Sequence, residues 1–190
     1  MAVRTMTGAP SIKAEHWRYG SNLNGLWDWL KEGDENRDIM TCGTAGSGDD
    51  TQQNRVGLAK SHAYTVLGVV EVTDSRGRKT RLVKMRNPWG KETYKGPWCD
   101  SCHEWSEETE QQAGLMKSDD GVFFMPINYY QRFVEDSFRN INPDNITRSS
   151  HLVLDDVSNV PGYTPWCGRS CTRHNYSFKS ETEQKVIIRA

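Results

Sequence analysis

The sequence has no apolar run near the ~20 residues that span a bilayer, and Met1-Ala2-Val3-Arg4-Thr5 lacks the apolar segment of a signal peptide. It has no excess of either charge: 24 Lys and Arg stand against 25 Asp and Glu, a net charge of −1. Neither nucleic acid nor an anionic membrane surface has an electrostatic claim on such a chain. It also lacks an even set of cysteines, and five in 190 residues do not make a complete disulfide framework. Asn145-Ile146-Thr147 and Asn175-Tyr176-Ser177 fit the glycosylation triplet, but that triplet is common by chance and no secretory context accompanies it. The expectation that remains is a soluble, cytoplasmic piece of a larger protein, long enough for one full core and part of another.

What is present centres on residues 61–90. Ser61-His62-Ala63-Tyr64-Thr65-Val66-Leu67-Gly68-Val69-Val70-Glu71-Val72 and Arg81-Leu82-Val83-Lys84-Met85-Arg86-Asn87-Pro88-Trp89-Gly90 are both rich in β-branched residues. Asp74-Ser75-Arg76-Gly77 separates them with turn chemistry, so the stretch reads as an antiparallel hairpin. His62 and Asn87 lie at nearly equal distances from that turn, which brings an imidazole beside a carboxamide within a register error of a residue or two. Facing side chains on paired strands are close enough to hydrogen-bond. An Asn carbonyl that accepts from one ring nitrogen fixes the tautomer and leaves the other nitrogen as a base. On proximity alone a satisfied polar contact is the favoured reading, ahead of two members of a Cys-His-Asn apparatus.

The motifs themselves resemble those of calpain-type cysteine proteases. Ser61-His62-Ala63-Tyr64-Thr65-Val66 is similar to the His motif of that family and Lys84-Met85-Arg86-Asn87-Pro88-Trp89-Gly90 to its Asn motif. Trp98-Cys99-Asp100, Glu104-Trp105 and Asp120-Gly121-Val122-Phe123-Phe124-Met125 resemble later landmarks of the same core, so the likeness runs from about Thr5 to about Asp144. The resemblance implies that His62 is the general base, Asn87 its orienting partner and Trp89 an apolar shield over both. It implies a nucleophilic Cys in an earlier subdomain outside this sequence, and protein or peptide substrates. It also implies that residues 43–60, with Gly57, Lys60 and Ser61 at their end, form a mobile wall of the substrate cleft. A solvated connector is the other reading of that Gly-, Asp- and Gln-rich loop.

Calcium enters by the same route. The family resemblance implies acidic ligands on two loops, of which Asp100 and Asp120 retain two, whereas Thr93 and Val122 stand where the family has Glu. Ca²⁺ takes six to eight oxygens, so weak or absent binding is expected, and no cofactor is assigned to this chain with certainty. Two further motifs are weighed and set aside. Cys99-Asp100-Ser101-Cys102-His103 matches a haem-attachment pattern, and Cys167, Cys171 and His174 have the look of half a zinc site. The two cysteine pairs fall far apart in the chain, and they are expected to be reduced and metal-free.

Along the chain, residues 1–20 read as a leading segment with at most a short strand. Leu23, Leu26, Trp27 and Leu30 follow helical spacing, with Gly33 placed to end the helix. Ile39–Cys42 is a short strand. Cys42 precedes His62, as a nucleophile would. But Gly43-Thr44-Ala45-Gly46-Ser47-Gly48 cannot open a helix to lower its pKa, and the interval to His62 is only about 20 residues, against ~130–150 in papain-like enzymes. Residues 106–118 read as a polar surface excursion, Gly121–Met125 as a strand, and Asn128 as the cap of a short helix through Phe133 that turns Tyr129, Tyr130 and Phe133 to the core. A last strand runs through Phe138 and Ile141.

The expected fold is α+β, mostly antiparallel sheet. Residues 1–145 would form the second half of a calpain-type core and 146–190 a β-rich tail that begins a β-sandwich. The function expected is that of the His- and Asn-bearing half of a cysteine endopeptidase. The competing class is a non-catalytic, protease-like interaction module.

Overall fold

The computed structural model describes residues 9–47 and 49–145. The expected tail, 146–190, lies outside the described residues, as do Cys167 and Cys171. Six strands form one sheet: β1 (Ser11–Glu15), β2 (Ile39–Gly43), β3 (Ala63–Thr73), β4 (Lys79–Arg86), β5 (Val122–Pro126) and β6 (Asp136–Asn140). Their order across the sheet is β1-β6-β2-β3-β4-β5, and every neighbouring pair is antiparallel. Among the described residues three α-helices accompany it: α1 (Leu23–Glu35), α2 (Glu107–Ala113) and α3 (Ile127–Phe133). The architecture is α+β, and among the described residues no helix is long and apolar enough to cross a membrane.

The β3–β4 hairpin turns where the sequence places the turn. Asp74 Oδ1 accepts from the backbone N–H groups of Arg76 and Arg78, both at 2.9 Å, and Gly77 takes φ +76°. Its register carries one irregularity that spacing does not show. Thr65 faces Arg86 and Val66 faces Met85, but Gly68 then faces Lys84, so Leu67 is an extra residue, a bulge. The carboxylate of Asp34 from α1 fills the space a Gly68 Cβ would need, 2.9 Å away, and accepts the Val69 N–H at 3.1 Å. A bulge reverses the parity of a strand. Before it, Tyr64 and Val66 point into the main core; after it, Val70 and Val72 point to the opposite face.

The main core lies between the sheet and helices α1 and α3, with Leu26, Leu30, Met40, Val66, Met85, Phe123 and Tyr130 all buried. The second cluster, Val72, Leu82, Phe124 and Trp105, lies on the other face. Residues 106–118 are mostly exposed, as expected of a surface excursion, and a short helix forms within them. Ser106 caps α2 through the Thr109 N–H, and the Gln112 carboxamide bridges both backbone groups of Thr73. The helix has no apolar stripe to announce it; Gln112 ties it to β3, and Ala113 with the following Leu115 packs on the second cluster.

Three other expectations are corrected. Gly33 does not end α1: the helix runs to Glu35 and stops at Asn36 and Arg37, the latter at φ +56°. Gly33 is instead a close-packing site, where a Cβ would meet Met40 Sδ and the Arg139 side chain. Asn128 is exposed and caps nothing, because α3 begins directly from extended Pro126 with no side-chain cap. Finally, Cys99 and Cys102 are joined as a disulfide, not reduced; a tight turn, with Cys102 N–H on Cys99 O at 2.9 Å, brings the pair together.

Arg139 staples the helix to the sheet. Its guanidinium is buried and donates to Asp38 Oδ2 at 2.9 Å, Glu32 Oε2 at 2.8 Å and the Trp29 carbonyl at 3.0 Å. One side chain of β6 thus holds α1 and the residue that leads into β2.

Candidate active site

His62 immediately precedes β3 and Asn87 immediately follows β4. Continuing the ladder past Thr65 and Arg86, Asn87 stands opposite Tyr64, and His62 meets it as the diagonal neighbour on the same face. His62 Nε2 lies 3.1 Å from Asn87 Oδ1. That oxygen also accepts the Trp89 N–H at 3.1 Å, which fixes it as the acceptor and makes Nε2 the donor. Asn87 is fully buried and its backbone is tied on both sides, N–H to Gly121 O at 2.8 Å and O from the Gly90 N–H at 3.0 Å. Gly121 has to be glycine there: it sits at φ +83°, and a Cβ would lie 2.7 Å from Asn87 O.

The Trp89 ring stacks at a tilt over the imidazole, 4.4 Å between centroids, and keeps 44% of its own surface exposed. Tyr64 meets the same imidazole edge-on at 4.9 Å. The imidazole is therefore flanked by two aromatic rings, Tyr64 buried and Trp89 partly exposed. His62 is held from below by Thr44, a residue with no motif to mark it. Thr44 Oγ accepts the His62 N–H at 3.1 Å, its N–H donates to His62 O at 3.0 Å, and its hydroxyl donates to Ala59 O at 2.6 Å. Ser61, just before the histidine, takes φ +48°.

The remaining imidazole nitrogen is occupied. Nδ1 lies 3.0 Å from Asp50 Oδ2. Nothing in spacing or motif marks Asp50, which belongs to the loop of residues 43–60. That loop is anchored at its far end. Asn54 Oδ1 accepts from the N–H groups of Val56 and Leu58, and Val56, Leu58 and Ala59 are buried. Gly57, expected at the cleft, is buried at φ +82° against the Thr93 carbonyl, where no Cβ fits, and Lys95 N–H holds Val56 O at 2.9 Å. Lys60 and Ser61 stay beside the histidine, their N–H groups bonded back to Gln52 O and Ala45 O.

Cys42 belongs to the buried core, paired across the strands with Tyr64. It is the one free cysteine among the described residues, it is buried beside Tyr130, and burial pushes its thiol up to about 12. A thiol in that state is inert at neutral pH.

The expected calcium residues do not assemble a cage. Asp120 turns inward on its own chain, accepting the Val122 N–H and the Ser118 hydroxyl, both at 2.8 Å. Asp100 is buried and neither carboxylate oxygen has a hydrogen bond of good geometry. Its burial pushes it up to about 6, a rise that the facing Ser118 backbone partly offsets. Glu92, the neighbour of Thr93, enters the same crowd and is raised to about 7, by desolvation first and then by Asp100, Asp119 and Asp120. Among the described residues no group of three or more His, Cys, Asp or Glu is arranged to hold a metal ion. Asp100 and Glu92 thus answer burial first, and neighbouring charge second, with higher proton affinity, whereas Asp120 is lowered by the Val122 N–H and the Ser118 hydroxyl.

Comparison with known proteins agrees with the geometry. A family model described as calpain family cysteine protease matches residues 1–139. Calpain-14 of Homo sapiens is 41% identical over 108 residues, which cover 56% of this chain and 15% of that protein. Calpain-9 of Rattus norvegicus is 29% identical over 149 residues, covering 75% of this chain and 21% of the relative. The chain thus spans about a fifth or less of the length of these relatives. Among solved structures, SERA5E from Plasmodium falciparum is 15% identical and aligns over 70% of this chain and 47% of that one, with a TM-score of 0.39. That score is too low to bear on the fold.

Proposed function

The chain belongs to the calpain family of cysteine proteases, and from that premise we propose that it is the His- and Asn-bearing half of an endopeptidase core. It hydrolyses peptide bonds only when joined to a part of the enzyme that carries the nucleophilic Cys. The observation that carries this reading is the 3.1 Å bond between His62 Nε2 and the buried, backbone-tied Asn87 Oδ1, with Trp89 over the ring. A satisfied polar pair in an ordinary hairpin needs no such buried acceptor, nor an aromatic cover.

The residues divide the work as follows. Asn87 keeps the proton on Nε2 and so aims Nδ1 at the incoming thiol. His62 takes the thiol proton, the thiolate attacks the substrate carbonyl, and His62 returns that proton to the leaving amine. Water then hydrolyses the thioester with His62 again as base. Trp89 and Tyr64 exclude water from the imidazole, which strengthens its bond to Asn87. Thr44 sets the backbone from which the ring projects.

The test is peptide cleavage by this chain alone and by the chain completed with a Cys-bearing half, with an alkylating agent as control. The expected result is no turnover alone and alkylation-sensitive turnover in the complete core. Alkylation-sensitive cleavage by this chain alone, lost in Cys42→Ala, would make Cys42 the nucleophile and overturn the proposal. A complete core with an intact thiol and no turnover would favour the non-catalytic module.

A further inference from the structure

The imidazole of His62 is bonded at both nitrogens, and the two bonds make different demands. Asn87 Oδ1 is an acceptor, so Nε2 must carry a proton. A carboxylate also only accepts, so the contact of Nδ1 with Asp50 Oδ2 at 3.0 Å needs a second proton. Made together, the two contacts occupy both ring nitrogens and leave neither open to a thiol. The proposed reaction requires the reverse, an open Nδ1, because Asn87 has claimed the other nitrogen.

The setting of the two partners differs in a way that fits this. The His62 side chain is 7% exposed and that of Asp50 44%. The half-exposed carboxylate thus sits on the ring nitrogen that a thiol would have to reach. Among the described residues Asp50 makes no other side-chain bond, whereas its neighbour Asp49 is engaged by the N–H and hydroxyl of Thr51. An exposed carboxylate held by one contact regains water when it leaves, so displacement has a low cost.

We propose that Asp50 is a cap on the catalytic base: it occupies His62 Nδ1 in this chain and must swing away before the nucleophile engages the ring. The inference rests on the reading of His62 as the base. It makes Asp50 a positioning residue of an autoinhibitory kind, and it assigns part of the 43–60 loop a role in switching the site on.

The test uses the 190-residue chain at neutral pH and two readouts. The first is acylation of histidines by diethyl pyrocarbonate, which attacks an unprotonated, accessible ring nitrogen, followed by peptide mapping. His103, with a side chain 95% exposed, is the fast reference, and buried His16 reports that the fold is intact. Asp50→Ala should speed acylation of His62 roughly tenfold, the factor one charge-assisted bond commands, with His103 and His16 unchanged. Asp49→Ala should leave all three as they are. The second readout is the ¹⁵N resonances of the His62 ring: Asp50→Ala should move Nδ1 and leave Nε2, still held by Asn87, in place. An unmoved Nδ1 and unchanged acylation in Asp50→Ala overturn the cap, whatever the turnover assay shows. A freed Nδ1 together with a complete core that shows no thiol-dependent turnover removes the protease reading alone.

Discussion

Acidification should weaken this domain through one imidazole in particular, that of His16. The ring is buried, its Nε2 lies 2.7 Å from Ser137 Oγ, and it packs on Tyr130 at 5.0 Å. Burial is the main cause that pulls it down to about 4 from an ordinary 6.5; the carbonyls of Val134, Tyr130 and Gln131 and the charge of Asp136 offset only part of that. The sign follows from proton binding. Between pH 6.5 and 4 the unfolded chain holds a proton on His16 that the folded chain refuses. The stabilisation is therefore whole above pH 6.5 and drains away as pH falls towards 4. Linkage gives a loss of about 2 kcal/mol at pH 5 and about 3 kcal/mol by pH 4. Glu92 and Asp100 act in the opposite sense, because their folded values are raised and their protonation stabilises the fold as pH falls. A single pH profile would mix the two. Urea unfolding of the unaltered chain and of His16→Gln, followed by tryptophan fluorescence from pH 4 to 7.5, separates them, since the carboxyl contributions cancel in the difference. The His16→Gln chain should be the less stable at pH 7.5, and the gap should close by about 3 kcal/mol on going to pH 4. A gap that stays constant across that range would refute the reasoning.

Removing the Arg139 guanidinium leaves Asp38 buried without its cation, so Arg139→Ala should cost about 3–5 kcal/mol in urea unfolding; a loss below about 1 kcal/mol would make the cluster solvent-relaxed. In a completed core, His62→Ala should abolish turnover with unfolding unchanged. Asn87→Ala should be less severe, since the ring keeps its basicity but loses its aim; equal losses in kcat would contradict that division. Gly57→Ala should detach the loop from Thr93, seen as faster proteolysis between residues 43 and 60, because neither the backbone angle nor the space admits a Cβ. Calorimetry should show no micromolar Ca²⁺ binding by this chain; such binding, abolished by Asp100→Ala, would show that the carboxyl cluster closes on a cation after all.

Much of the sheet is legible because its cause is local. Asp74 and Gly77 make their turn from four residues, and the β-branched runs on either side pair without help. What was not legible depends on groups far apart in the chain. The bulge at Leu67 exists because Asp34 of α1 takes the place of a Gly68 side chain, and no window of strand residues contains that aspartate. Helix α2 has a cap but no apolar stripe, so its docking by Gln112 onto Thr73 and by Ala113 onto the second cluster leaves no periodic trace. Gly33 has the look of a helix stop from sequence and is a contact site instead, because Arg139 arrives from more than a hundred residues away.

The site divides along the same line. His62, Asn87 and Trp89 are recoverable from motif and hairpin counting, and the bulge shifts their pairing without parting them, since a diagonal neighbour on the same face is still within reach. Thr44 and Asp50 escape such counting because their work is done through a loop. One binds the backbone of His62 and the other the far nitrogen of its ring, and neither residue type in a Gly-rich stretch signals either task. The two have opposite consequences. Thr44, buried and bonded on three sides, belongs to the fixed part of the apparatus. Asp50, half-exposed and held once, is the part that moves in the proposed cap. A loop tied down at Gly57 and held at Asp50 by a single side-chain contact would then release His62 without unfolding what positions it.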